Sequence, residues 1–290
     1  MPHAAVPLQR RAVDAQGARI AALRWPVEAL WAQLEPLRPG LGVEALVETD
    51  STSTRLLERA RGGDSAPCLL VAERQTAGRG RLGRSWISDT APAATADGPG
   101  SLTFSLGLTL APADWSGLSL AVGVALAEAL HPSVKLKWPN DLWLVDDSPP
   151  GAPGRKFGGV LIETLALAGG GRYAVIGVGL NLDAPAAQAA FTQPAAGWRE
   201  IEPLARAPEL LARLAAPLLG ALIVFEQQGF AAFAKRFAAR DALAGKPVQT
   251  SQPGAESGRA DGVDERGALR LQTPQGERLI GSGEVSVRPC

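Results

Sequence analysis

Gly78-Arg79-Gly80-Arg81-Leu82-Gly83-Arg84-Ser85-Trp86 is a glycine-rich turn carrying three arginines. Glycine lets a backbone turn so that successive N–H groups face inward, and each guanidinium is a permanently charged fork that fits a carboxylate or phosphate. The stretch is built to hold anions. The same composition occurs in solvated turns and in disordered Arg-Gly tails that bind RNA, so its flanks decide the reading. Upstream, Cys68-Leu69-Leu70-Val71-Ala72-Glu73 reads as a buried strand. Downstream, Leu102, Phe104, Leu106, Leu108 and Leu110 alternate with Ser, Thr and Gly, the period-two signature of a strand with one buried face. The loop therefore joins sheet strands, and a loop on a rigid scaffold favours a small anionic ligand over a polymer.

The remaining composition suits a soluble enzyme. A chain of 290 residues, 46% hydrophobic, can bury a large core and has room for one large domain and a small one. Twenty-nine basic residues balance 29 acidic ones, so no global field steers the chain to nucleic acid or membrane, and the loop arginines are a local concentration. Cys68 and Cys290, far apart in sequence, offer neither a disulfide framework nor zinc spacing, which indicates a reducing, cytoplasmic setting. No N-terminal apolar run fits a signal peptide, and charge or proline breaks the longest apolar helix candidates, so no membrane span is expected.

His3 and His131 are poorly placed for a triad or a histidine metal site, and no Walker motif occurs. Arginine, lysine, carboxylate and backbone N–H remain, a vocabulary for neutralising and positioning charge. Activation of a carboxylate by ATP fits it, because an ionised nucleophile needs only to be held in line with the α-phosphate while cations screen repulsion. Only five lysines occur, and three of them cluster. Val134-Lys135-Leu136-Lys137-Trp138-Pro139-Asn140-Asp141 alternates as a strand ending at proline, with Lys135 read as part of a solvated face. Asn140 and Asp141 at its end either cap a turn or contact a ribose, adenine or Mg2+. Lys156 precedes Phe157-Gly158-Gly159-Val160-Leu161-Ile162-Glu163, a strand whose glycines suit close approach of a ligand to its backbone. A further strand carries Ile176-Gly177-Val178-Gly179-Leu180-Asn181, where glycine either relieves crowding or admits ligand.

These motifs stand in the order seen in biotin protein ligases: Asp50-Ser51-Thr52, Glu73 to Gly78 leading into the arginine loop and Trp86, Lys137-Trp138-Pro139-Asn140-Asp141, Lys156 with Gly158-Gly159, and Gly177-Val178-Gly179-Leu180-Asn181. The chain resembles that family from about residue 43 to 288, and the two central motifs are specific in combination. The resemblance implies an α+β fold: a mixed-sheet catalytic domain related to class II aminoacyl-tRNA synthetases at 44–243 and an SH3-like barrel at 244–290, after an extension at 1–43. It implies ATP-dependent formation of biotinyl-5′-AMP and transfer of biotin to a lysine of a biotin carboxyl carrier domain of acetyl-CoA carboxylase or a related carboxylase. Lys156 and Arg81 would be catalytic. Ser51, Thr52, Ser53, Gln75, Arg79 and Gly80 would join them in binding biotin. Gly78, Arg79, Arg81, Trp86, Asn140 and Asn181 would lie on the adenylate side, and Asp141 would orient Mg2+ or the incoming amine.

Ser53 departs from the family pattern, which usually has Asn; its other reading is as N-cap of a helix over 54–61. Two insertions, 89–100 and 146–154, read as loops that either gate the site or decorate it. Towards the C-terminus, 204–228 reads as a helix interrupted near Pro208 and Pro217, and 230–240 as another with Phe230, Phe233 and Phe237 in the core. Short β segments follow at 248–250, 258–263, 268–271 and 284–287. The roughly forty residues before the catalytic region, broken by Pro26, Pro36 and Pro39, hold a short helix at 25–37 and lack a basic recognition helix. A monofunctional enzyme with no DNA partner is expected. The sequence leaves monomer and homodimer open, with a strand beside Tyr173 as one place where copies would pair. Other readings are a lipoate ligase or octanoyl transferase, a non-enzymatic biotin sensor and an RNA binder.

Overall fold

A computed structural model describes residues 24–87, 99–145, 154–168, 170–185, 194–282 and 286–289. The insertions at 89–100 and 146–154 lie largely outside those residues. Seven strands form one mixed sheet: β1 (Gly42–Thr49), β2 (Cys68–Gln75), β3 (Ser101–Leu110), β4 (Val134–Lys137), β5 (Asp141–Leu144), β6 (Arg155–Ala166) and β7 (Arg172–Asn181). Their spatial order is β1-β2-β3-β7-β6-β5-β4, with only β1 and β2 parallel.

The alternation in β3 shows how the two faces differ. Leu102, Phe104, Leu106, Leu108 and Leu110 enter the main core with α1 (Val27–Leu34), α3 (Leu118–Leu130) and α4 (Ala207–Gln228). Ser101, Thr103 and Ser105, expected to face solvent, are buried as well. The opposite face is covered by α2 (Thr52–Arg61), whose Leu56, Leu57 and Ala60 pack with Cys68, Leu70, Tyr173 and Val175. A strand with covered faces can still alternate when one cover is an apolar helix layer and the other a polar site.

Two helix readings change. α4 runs unbroken through Pro217, while Pro208 sits in its first turn, where a missing N–H costs no bond. Its length and apolar composition alone would let it cross a membrane, but more than half of its apolar window is buried within the fold, against α1, α3 and β3. The stretch expected as one helix over 230–240 divides into a 3-10 turn (Phe230–Ala232) and α5 (Ala234–Ala238), and Phe230, Phe233 and Phe237 are core as expected. α1, shorter than the helix expected over 25–37, buries Leu30 and Leu34 in the main core, and Leu41 joins them from just before β1. Residue 43 lies inside β1, so residues 27–43 belong to the unit built on the seven-stranded sheet.

β7 lies between β3 and β6 along its whole length. Tyr173 therefore belongs to a strand paired on both sides, which removes that strand as the place for edge pairing with a second copy.

A second sheet begins at Pro247 and is wholly antiparallel, in the order β11-β10-β9-β8-β12. Its strands are β8 (Pro247–Thr250), β9 (Ser257–Val263), β10 (Leu269–Thr273), β11 (Gly276–Ile280) and β12 (Val287–Pro289). β11 was not among the expected β segments; Glu277 and Arg278 are charged and only Ile280 is buried. The two sheets are fastened by Trp138, whose buried indole donates to Gly267 O at 3.0 Å, and by the Arg266–Asp114 ion pair at 2.7 Å.

Candidate functional site

The register of the large sheet sets one row of residues side by side on the face away from α3. Lys137 pairs with Asp141, Asp141 with Gly159, Gly159 with Gly179, Gly179 with Thr103 and Thr103 with Ala72. Directly opposed residues share a face, so charge stands at one end of the row and two glycines leave a trough in its middle. The trough holds Trp86: a Cβ on Gly179 would lie 2.5 Å from the indole. A Cβ on Gly177 would lie 2.6 Å from Ser53 Oγ. These glycines thus make room for the site's own side chains.

At the charged end, Asp141 is almost fully buried and accepts from two ammonium groups, Lys156 Nζ at 2.6 Å on Oδ1 and Lys137 Nζ at 3.1 Å on Oδ2. Burial alone would raise this carboxyl, but the charges of Lys156 and Lys137 and their hydrogen bonds outweigh it and hold it below its ordinary value. Burial is the larger influence on Lys137 and lowers it, against the pull of Asp141. Lys137 also sits 5.5 Å from the centroid of the Trp143 ring. Lys137 and Asp141 close a β4–β5 hairpin over a cis Trp138–Pro139 bond, so the stretch expected as one strand end is a turn. Asn140 in that turn donates to Val160 O at 2.8 Å and accepts from Arg81 at 3.3 Å.

The arginine loop folds back on itself, with Trp86 N bonded to Gly78 O at 2.9 Å and Gly80 N to Arg84 O at 2.7 Å. A Cβ at Gly78 would meet Trp86 O at 2.4 Å, so the close return requires glycine there. Arg81 reaches across to donate to Ser282 O, just beyond β11, as well as to Asn140. Burial lowers Arg81 from its usual value, with the Asp141 charge opposing. Arg79 turns elsewhere and pairs with Glu163 on β6 at 2.9 Å.

The far end is lined with hydroxyls. Ser51, not Ser53, caps α2, accepting from Thr54 N at 3.4 Å. Ser53 lies instead in the first turn, buried, with its hydroxyl 2.9 Å from Ser105 Oγ. Gln75 Oε1 accepts from Thr52 N at 2.7 Å.

Residues 47–181 match the Biotin/lipoate A/B protein ligase family, and residues 245–288 match the biotin protein ligase C terminal domain. The chain is 34% identical over 249 residues to the biotin--[acetyl-CoA-carboxylase] ligase of Paracoccus denitrificans, covering 83% of this chain and 98% of that protein. The chain belongs to the biotin protein ligase family. This ligase is also 33% identical to the bifunctional ligase/repressor BirA of Salmonella typhimurium, across 85% of this chain and 74% of that protein. Its fold matches the Aquifex aeolicus biotin protein ligase solved with biotin and ATP, with a TM-score of 0.69, 29% identity, and coverage of 86% and 99% of the two chains.

Of the expected site residues, the ligase gathers Ser51, Thr52, Ser53 and Gln75 at one end and Lys156, Asp141, Asn140 and Arg81 at the other, with Gly78 and Trp86 at the loop's return. Asn181 lies two residues beyond Gly179 on the same strand face, where its buried amide donates to Ala196 O at 3.3 Å, bracing the segment that pairs with Lys156. Asp141, expected at a metal or the amine, has each oxygen taken by a lysine. Three residues escaped the sequence reading. Lys137 shares a strand face with Lys135, and period two cannot tell which of them is covered. Ser105 read as one small residue of an outward face. Glu163 read as the end of an apolar strand.

Proposed function

We propose that this ligase first joins biotin to AMP and then passes biotin to one lysine of a biotin carboxyl carrier domain. In the first step a biotin carboxylate oxygen attacks the α-phosphorus of ATP, and the bond to the bridging oxygen breaks so that pyrophosphate leaves with the electron pair. In the second, the carrier amine attacks the acyl carbon, AMP leaves with its bonding pair, and the amine gives up a proton.

The observation that carries this reading is the Lys156–Asp141–Lys137 cluster at one end of a glycine-floored trough whose other end is lined by hydroxyls and an amide. Lys156, about one third exposed and pinned at 2.6 Å by a buried carboxylate, is placed to meet the carboxylate and α-phosphate where negative charge gathers. Lys137 keeps the anchor charged. Arg81, held between Asn140 and Ser282 O beyond β11, would close the loop over the phosphates. The polar far end suits a ureido ring better than an apolar dithiolane, which favours biotin over lipoate.

ATP brings Mg2+, which neutralises phosphate oxygens. Among the described residues no cluster of three or more His, Cys, Asp or Glu could hold a metal, and Asp141 is engaged by two cations, so the phosphates would supply most of the ion's ligands. We read the five-stranded C-terminal sheet as an SH3-like module, the catalytic sheet as related to class II aminoacyl-tRNA synthetases, and the cytoplasm as the place of reaction. The name of the Paracoccus relative supports acetyl-CoA carboxylase as the source of the carrier.

The test is exchange of labelled pyrophosphate into ATP by the purified protein without a carrier. Exchange driven by biotin and not by lipoate is expected. Exchange driven by lipoate instead would transfer the reading to a lipoate ligase, and none with either acid would remove the adenylating step.

A further inference from the structure

Lys156 and Gly159 stand three apart on β6, and residues three apart on a regular strand face opposite sides of the sheet. Here they share one side, because a Cβ on Gly159 would lie 3.4 Å from Lys156 Nζ. The pairing with β5 explains it. Leu142 stands opposite Gly158 and Trp143 opposite Lys156, so the register skips Phe157, the extra residue of a β-bulge. Phe157 and Gly158 both lie on the core side: Phe157 is buried in the main core, and a Cβ on Gly158 would meet Leu180. Without the extra residue, the Lys156 side chain would leave the sheet on the side away from Asp141.

A bulge interrupts the ladder and needs other anchors, and two are present. β7 pairs with β6 only from Gly158 onward, and segment 194–196 takes its place beside Lys156. Lys156 N donates to Pro194 O and Ala196 N donates to Lys156 O, each at 2.9 Å. The Phe157 ring packs on buried Trp198, with ring centroids 5.8 Å apart. That indole is itself fixed, since Trp198 Nε1 donates to Glu202 at 3.2 Å and Arg213 of α4 pairs with Glu202 at 2.9 Å.

We infer that Phe157 is a positioning residue for the adenylating step: seated on Trp198, it holds the bulge that turns the Lys156 ammonium onto Asp141 and over the Gly159 floor. The inference rests on the reading of Lys156 above. Phe157 faces the core, away from the trough, and acts only through the lysine beside it. Losing its ring frees the bulge to shift, and displacing a reacting group by about 1 Å costs rate more than it costs binding.

The test is a double-mutant cycle read by biotin-dependent pyrophosphate exchange. Phe157→Ala should lower kcat about thirtyfold while the KM for biotin moves less than about threefold. In the Lys156→Ala background the same substitution should cost less than about threefold, because the cation it places is gone. Phe157→Leu keeps most of the buried volume and serves if Phe157→Ala does not fold; it should lower kcat about fivefold in the parent and less than about twofold in the Lys156→Ala background. Equal losses in the two backgrounds, or a raised KM with kcat unchanged, would reduce Phe157 to packing and overturn the proposal. Absence of biotin-dependent exchange in the parent itself would instead overturn the adenylation reading, and this inference with it.

Discussion

Replacing Asp141 by Asn sets two ammonium groups against a neutral amide, and their different exposure decides the outcome. Lys156, with a third of its side chain exposed, can turn towards water; Lys137, at 5%, cannot. Removing one partner of a buried ion pair costs about 3–5 kcal/mol. The stranded group has a second way out, which is to lose its proton. Taking a lysine from its reference value of 10.5 to neutrality at pH 7 costs about 5 kcal/mol, at about 1.4 kcal/mol per pH unit, which sets a ceiling on the loss. Folded Asp141→Asn protein would then hold Lys137 neutral while the unfolded chain keeps it protonated. The unfolded state binds the extra proton, so the variant gains stability as pH rises, by up to about 1.4 kcal/mol per unit. Urea unfolding of parent and variant at pH 7, 8 and 9 should show the deficit shrinking by about 2–3 kcal/mol over that range. Adding Lys137→Met to Asp141→Asn removes the unpaired charge and should restore most of the loss at pH 7. A deficit that stays constant with pH, or a double variant as unstable as the single one, would refute the assignment of Lys137 as the stranded buried cation.

Gly179→Ala should push Trp86 out of the trough, because the added carbon would lie 2.5 Å from its ring; biotin affinity by calorimetry should fall about tenfold, and an unchanged affinity would separate Trp86 from the site. Lys156→Ala should lower biotin-dependent pyrophosphate exchange by about a thousandfold while biotin binding moves less than tenfold, since a cation aimed at developing phosphate charge acts mainly in the transition state. Equal losses in both would remove that role. Burial pushes the Asp241 carboxyl up from 3.8 to about 6, so the folded chain keeps a proton that the unfolded chain releases, and the associated stability is lost as pH rises through about 6. Asp241→Asn does not titrate, so between pH 4 and 7 the parent should lose up to about 3 kcal/mol relative to it, and parallel pH curves would contradict the raised value.

Much of the site was legible in local sequence because its chemistry sits in short motifs. The arginine loop between β2 and β3 and Lys156 at the head of β6 were placed correctly on their elements, whereas Asn140 and Asp141, read at one strand's end, belong to a turn and to the start of β5. The covers and partners were not legible. Ser53 looked like a cap because a serine before a helix usually is one, yet the helix begins earlier and Ser51 takes that place. β11 went unread because an exposed edge strand with Glu277 and Arg278 lacks the apolar alternation by which strands are recognised. α4 looked broken because proline removes a hydrogen bond, and tertiary packing on both sides carried the helix through it.

The sequence alone determined the order of the motifs, since side-chain chemistry at fixed spacing is local, and the resemblance those motifs carry implied the α+β fold and the family. Only the tertiary structure decided which lysine is buried beside Asp141, that Arg79 and Arg81 part to different partners, and that Ser105 lies beneath Thr52 and Ser53. Those facts depend on sheet register between strands far apart in the chain. Register brings together residues such as 53, 105 and 177 that no local pattern links.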